Sequence, residues 1–143
     1  MNITYKLILP NENLVKQLEY LRFECFDMDV DYLNANQTFY EQNILNGKVL
    51  VFGAFKEVEL IGACYVSVNL KSLYIDQLFI KKDYQKEQIG KELLEYVLRK
   101  KNVIGEYYET FLTSCFLDAC NQSQSFYEKI GFKESNGHMH KLL

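Results

Sequence analysis

The sequence contains a single proline, Pro10, and no tryptophan. With so few breakers, long regular elements are expected and extended irregular segments are not. It lacks the run of about 18 or more apolar residues that a membrane-spanning helix needs. Its start, MNITYKLILPNEN, lacks the long apolar stretch of a signal peptide. It also lacks an excess of positive charge: 16 Lys and Arg against 19 Asp and Glu leave a net charge of −3, which argues against a nucleic-acid partner. No Cys-x-x-Cys pair occurs; Cys25, Cys64, Cys115 and Cys120 sit in apolar stretches and read as reduced core thiols, which predicts a cytoplasmic location. His138 and His140 are the only histidines, too few for a metal site, and read as surface polar positions on one face of a last strand.

What is present is ordinary for a globular chain: 143 residues, 48% apolar and 24% charged, enough for one domain over 1–143 with its own core. Ile3–Leu9 alternates as a strand, stopped by Pro10. Asn11–Phe26 carries a helical stripe of Leu14, Leu18, Leu21 and Cys25. A second helix is expected over Thr38–Asn46, opened by the capping box Thr38-x-x-Glu41 and closed at Gly47. Val49–Phe55, Leu60–Val68 and Ser72–Ile80 read as an antiparallel meander. A periodic helix then begins at Ile89 and runs to Lys100, with Leu93, Tyr96 and Val97 on one side. Tyr107–Phe116 is expected to be a strand, Asn121 to cap a short helix through Ile130, and Phe132–Leu143 to be a last strand. The order β-α-α-β-β-β-α-β-α-β predicts an α/β (mixed α+β) fold, a mostly antiparallel sheet flanked by about four helices.

Chemistry is suggested by Asp76 to Leu94, where a strand runs into a polar turn and the turn into a helix with Gly90 in its first turn. Such a helix start exposes backbone N–H groups at a positive dipole end and suits a phosphate. Lys81, Lys82, Lys86 and Lys91 surround it, although a solvated turn with surface lysines explains the pattern equally well. Neither G-x-G-x-x-G nor G-x-x-x-x-G-K-[ST] is present. Leu78-x-Ile80, then Tyr84-Gln85-x-x-Gln88-x-Gly90 followed by Leu93-Leu94, resembles the acetyl-CoA signature of the GNAT superfamily of N-acetyltransferases. Downstream, Ser125-Phe126-Tyr127-Glu128-Lys129-Ile130-Gly131-Phe132 resembles that family's Tyr-Glu-Lys-x-Gly-Phe segment. The two matches stand in the family's order, and the resemblance covers the whole chain.

The resemblance implies acetyl-CoA as co-substrate. Backbone groups of Leu78, Phe79 and Ile80 would pair with its pantetheine arm, and the amides of Gln85, Lys86, Glu87, Gln88, Ile89, Gly90 and Lys91 would cradle its pyrophosphate. Asn121 stands near a further contact, offset by one position. Gln88 departs from the family's usual glycine. An amine attacks a thioester only as the free base, and at pH 7 an amine of pKa about 10.4 is neutral in only about one molecule in 2,500. Asp76 lies four residues before Ile80 on one strand, so both are expected on one face. Related polyamine acetyltransferases carry a carboxylate at this place, which implies Asp76 as the base; an ordinary salt bridge is the competing reading. The Ile80 N–H is the expected oxyanion donor. Tyr127 matches the family's general acid, with a packing tyrosine as its competitor. From Phe23 to Gly47 there is no Lys or Arg, and Asp27, Asp29 and Asp31 form an acidic lip suited to a cationic amine. The predicted function is acetyl transfer to a primary amine of a small, polyamine-like molecule, with no nucleic-acid or membrane partner and room for a homodimer. The alternatives are protein or peptide acetylation, a non-catalytic module of this fold that binds acyl-CoA, and a Rossmann-type nucleotide domain. The strand meander before the phosphate turn argues against the last.

Overall fold

Asn11 separates the first strand, β1 (Ile3–Ile8), from the first helix, α1 (Glu12–Cys25), and its side chain accepts a hydrogen bond from the Leu14 N–H as N-cap. In this computed structural model, which describes residues 2–119 and 123–143, two further helices follow, α2 (Val30–Ala35) and α3 (Phe39–Leu45). Thr38 caps α3 as the sequence predicts, accepting from the Glu41 N–H. The meander is β2 (Leu50–Lys56), β3 (Glu59–Asn69) and β4 (Ser72–Ile80). A short 3-10 turn, Lys82–Tyr84, leads to α4 (Ile89–Arg99), then α5 (Lys101–Tyr107) and β5 (Ser114–Leu117). The chain ends with α6 (Gln124–Lys129), β6 (Lys133–Ser135) and β7 (His138–Leu142). Among the described residues seven strands form one sheet in the order β1-β2-β3-β4-β5-β7-β6, antiparallel except where β4 pairs with β5.

Two apolar layers cover the sheet. On one face α4 and α5 bury Leu93, Leu94, Val97 and Ile104 against Cys64, Val66, Ile75 and Ile80. On the other, α1 and α3 bury Val15, Leu18 and Ile44 against Val51, Tyr65 and Phe79. Each fully buried Leu side chain contributes roughly 1.5–3 kcal/mol. Among the described residues no helix is long and apolar enough to cross a membrane.

The structure corrects the expected order in three places. Helix α2, capped by Asp29, was not expected. Tyr107–Phe116 is not one strand: α5 runs to Tyr107, a tight return brings the Thr110 N–H onto the Gly105 carbonyl, and only Ser114–Leu117 pairs in the sheet. A Cβ at Gly105 would lie 2.6 Å from the Thr110 carbonyl oxygen, so the return needs glycine there. The tail is a hairpin rather than one strand, turning at Asn136 and Gly137, both at positive φ. Asn-Gly favours that turn because both of its central residues adopt φ > 0.

Candidate active site

Strand β4 organises the site. It pairs with β5 only over Ser72–Ile75, then continues to Ile80 paired with β3 alone while β5 ends at Leu117, so the sheet splays open. Its register with β3 moves from Tyr65↔Gln77 to Val66↔Ile75, which leaves Asp76 as the extra residue of a β-bulge. The bulge overturns the alternation expected of an unbroken strand. Ile75 and Ile80 enter the same apolar layer, and Asp76 is separated from Ile80, each lining a different cleft.

The first cleft, 370 Å³, lies between the end of β4, the start of α4, and α6. It is lined by Leu78, Phe79, Ile80, Gln85, Gln88, Gly90, Lys91 and Tyr127, and also by Cys25, Phe26, Ser123 and Phe126. The Lys81 N–H donates to the Ile61 carbonyl on β3. Because alternate residues of a strand direct their backbone groups to opposite edges, Leu78 and Ile80 face the splayed edge and Phe79 faces β3. The Ile80 carbonyl already accepts from the Cys25 thiol (3.3 Å) and from Gln85 Nε2 (2.9 Å). Burial pushes the Cys25 thiol up to about 11.

Gln88 begins α4 in the left-handed conformation, φ 61°, and contributes no side-chain cap. The first intrahelical bond runs from the Glu92 N–H to the Gln88 carbonyl, so the N–H groups of Ile89, Gly90 and Lys91 form the helix's open start. The Ile89 side chain itself is buried in the core. In the preceding turn the Gln85 and Glu87 amides are engaged, donating to Lys82 and Tyr84. Lys86 and Glu87 are exposed and line neither cleft. Of the surrounding lysines, Lys81 pairs with Glu59 and Lys82 with Asp27, whereas Lys91 lines the cleft. A Cβ on Gly90 would enter the groove and meet Ile80 and Phe126 at ordinary contact distance, so the glycine preserves the groove's width. A narrow groove beside a free strand edge, ending at an uncapped helix start, fits an acyl chain carried on a pyrophosphate.

The second cleft, 630 Å³, opens on the other side of the splay, between Ile75, Asp76 and Gln77 on β4 and Leu117, Asp118 and His138 across from them. Asp76 lies inside it, and burial raises its carboxyl above the ordinary range, opposed by a hydrogen bond with Ser67. The walls are aromatic: Tyr74 stacks on Phe116, and Tyr40 stands edge-on to Tyr65. Gln77 Nε2 donates to the Tyr40 hydroxyl, 3.3 Å. At the rim His138 Nδ1 and Asp118 Oδ1 are hydrogen-bonded. Among the described residues no Lys or Arg lines this cleft.

Behind Tyr40 lies a buried polar network. Glu19, fully buried, accepts from Arg22 Nε (2.7 Å) and Nη2 (2.9 Å), from the Thr38 hydroxyl (2.5 Å) and from the Tyr65 hydroxyl (2.9 Å). The Arg22 guanidinium lies 4.9 Å from the Tyr40 ring centroid. The network fixes the ring that walls the cleft.

The acidic lip is spent on local structure and lines neither cleft: Asp27 pairs with Lys82, Asp29 caps α2, and Asp31 lies in that helix's first turn. Asn121 lies outside the described residues. Sequence reading missed Tyr40, Gln77 and Asp118 and set His138 aside, because they meet only when α3, β5 and β7 are placed around β4; Asn136-Gly137 was the one local signal that could have fixed where His138 falls.

A splayed sheet with one groove at a helix start and one at an acidic cleft defines an acyl-CoA-dependent transferase fold. Residues 15–141 match the family model described as an acetyltransferase (GNAT) domain, and the chain belongs to that family, whose acyl donor is acetyl-CoA. No curated protein matches it. Among solved structures it is similar to a PaiA N-acetyltransferase from Thermoplasma acidophilum in complex with coenzyme A (22% identity, 100% of both chains, TM-score 0.73). It is also similar to Arabidopsis thaliana NAA60 in complex with a bisubstrate analogue (18% identity, 99% of this chain and 97% of that one, TM-score 0.74). A third is an aminoglycoside acetyltransferase from an uncultured soil metagenomic sample (19% identity, 94% of both chains, TM-score 0.72).

Proposed function

We propose that the protein transfers an acetyl group from acetyl-CoA to the primary amine of a small cationic molecule, polyamine-like in charge, in a cytoplasmic setting. The observation that carries this reading is the bulge at Asp76, which aims one strand at two clefts, one suited to an acyl-CoA and one anionic and aromatic. Leu78 and Ile80 present backbone groups to the arm of the donor, and the start of α4 with Lys91 holds its pyrophosphate. Bound acetyl-CoA supplies a thioester carbonyl. The Ile80 N–H is the donor aimed at charge developing on the carbonyl oxygen. Asp76 holds the acceptor ammonium and receives its proton, directly or through water. Tyr127, in the groove, gives a proton to the departing thiolate. Tyr40, Tyr74 and Phe116 face the cation with aromatic rings, and Asp76 and Asp118 supply the negative charge that the acidic lip does not.

The test is thermal: acetyl-CoA and free CoA, but not ATP, should raise the melting temperature by roughly 5–10 °C at about a hundred times Kd. An amine panel containing polyamines, arylalkylamines and peptide N-termini should then give CoA release that Tyr127→Phe slows without losing the thermal shift. A thermal shift with no turnover on any amine would favour a binding module, and turnover confined to peptides would favour protein acetylation.

A further inference from the structure

The acceptor's proton must leave the cleft in every turnover, and Asp76 is poorly suited to release it to solvent. It is partly buried, its carboxyl holds a proton more firmly than a surface one, and Ser67 occupies part of its hydrogen-bonding capacity. At the rim of the same cleft stands the one imidazole that lines it, His138. We propose that His138, oriented by Asp118, is the group that carries the acceptor's proton out of the cleft. This rests on the reading of the cleft as the acceptor site.

The geometry supplies both halves of such a carrier. Asp118 faces Nδ1, so the neutral ring is held with its hydrogen on Nδ1 and its lone pair on Nε2, ready to accept. His138 side-chain exposure is 60%, so the proton has an open route to water. The type I′ turn at Asn136-Gly137 immediately precedes His138, and its strand partners fix the register: Met139 opposes Leu117 and enters the core, which turns His138 to the opposite face. The groups around the ring are Asp118 at the end of β5, Asp76 on β4, Tyr40 from α3, and His140 with Lys133 farther along the sheet. The balance is simple. The ammonium loses a proton to Asp76 or to an intervening water; Nε2 takes it, forming imidazolium against Asp118; bulk water or buffer removes it. Asp118 acts through His138 and is a positioning residue.

Two measurements test this. In the full chain, His138→Ala should lower kcat about tenfold or more at pH 7 with an unchanged KM for acetyl-CoA. Added imidazole should restore kcat in proportion to its concentration in that variant and leave the wild type unaffected. Asp118→Asn should lower kcat less than His138→Ala does. A wild-type profile in His138→Ala, or no rescue by imidazole, overturns the proposal. The second measurement needs no turnover: with two histidines, His138→Gln assigns the nitrogen-15 imidazole spectrum. The neutral His138 ring is expected as the Nδ1–H tautomer, and as a mixture in Asp118→Asn. An Nε2–H tautomer overturns the proposal even if the acceptor is unknown. Failure of every amine to turn over, with the expected tautomer and with His138 resonances moved by spermidine in the presence of free CoA, counts against acetyl transfer and takes the proton carrier down with it, while leaving the orientation of His138 by Asp118 in place.

Discussion

The two clefts that share β4 differ in how they are built. The groove proposed for the donor comes mainly from one continuous stretch, Leu78 to Lys91, completed by Cys25 and Phe26 at the end of α1 and by Ser123, Phe126 and Tyr127. The cleft proposed for the acceptor draws on α3, the middle of β4, the end of β5 and the start of β7, and depends on a bulge that shifts the strand by one residue. A contiguous site is written in the order of its residues, whereas an assembled one exists only after the sheet has registered. Substitutions should separate the two.

The largest effect is expected at the support of the acceptor cleft. Arg22→Ala would leave Glu19 buried without its cation, a loss of about 3–5 kcal/mol, visible in urea unfolding. The paired change Glu19→Gln with Arg22→Met should cost clearly less, because no charge remains buried. If Arg22→Ala were no worse than the double variant, Glu19 would not depend on Arg22 as its buried counter-charge.

Next, Asp76→Asn should lower kcat/KM by about 10²–10⁴ while leaving the acetyl-CoA thermal shift intact. The same variant carries a stability signature. Folding raises the Asp76 pKa above its ordinary value of 3.8, so the native state binds the proton more tightly than the unfolded state does. Wild-type stability therefore falls relative to Asp76→Asn as pH rises from below that value through the raised one, and the gap closes again in acid. Paired melts across pH 3–7 read this directly, and a gap that widened in acid would have the opposite sign. Gly90→Leu should do the reverse of Asp76→Asn in function. It fills the groove beside Ile80 and Phe126 and abolishes the stabilisation of roughly 2.7 kcal/mol that saturating acetyl-CoA provides. The acceptor cleft and the helix should be retained.

The contrast explains what could be read in advance. The meander, α1, α3 and α4 carry their own signals: β-branched runs, a stripe of Leu14, Leu18 and Leu21, the Thr38 box and the Leu93–Val97 face. The end of β4 and the turn after it were legible for the same reason, since strand, turn and helix stand in sequence. Asp76 was legible as a residue but not in its orientation, because alternation assumes an unbroken strand and a bulge is set by pairing with β3. Asp27, Asp29 and Asp31 read as a charged lip with no helix foreseen there; in the structure Asp27 pairs with Lys82, Asp29 caps α2 and Asp31 lies in that helix's first turn. His138 was passed over because nothing in its neighbourhood in sequence names Asp118 as its partner.

The smallest effect sharpens the comparison from the legible side. Gln88 sits at φ 61°, ψ 14°, where an L side chain costs roughly 1–2 kcal/mol and glycine costs nothing comparable. Replacing it by glycine relieves that strain and also frees the unfolded chain, which takes back roughly 0.4–1 kcal/mol. Gln88→Gly is therefore expected to stabilise the free protein by about 0–1.6 kcal/mol, the difference of these two opposed effects. Its side chain lines the donor groove, so the same change should tighten acetyl-CoA binding modestly by clearing the approach to the Ile89–Lys91 amides. Calorimetric titration of both proteins with free CoA decides the point. Tighter binding in the variant means that Gln88 crowds the groove; unchanged binding with a raised melting temperature means that it is only a strained helix start, pointing its side chain clear of the ligand.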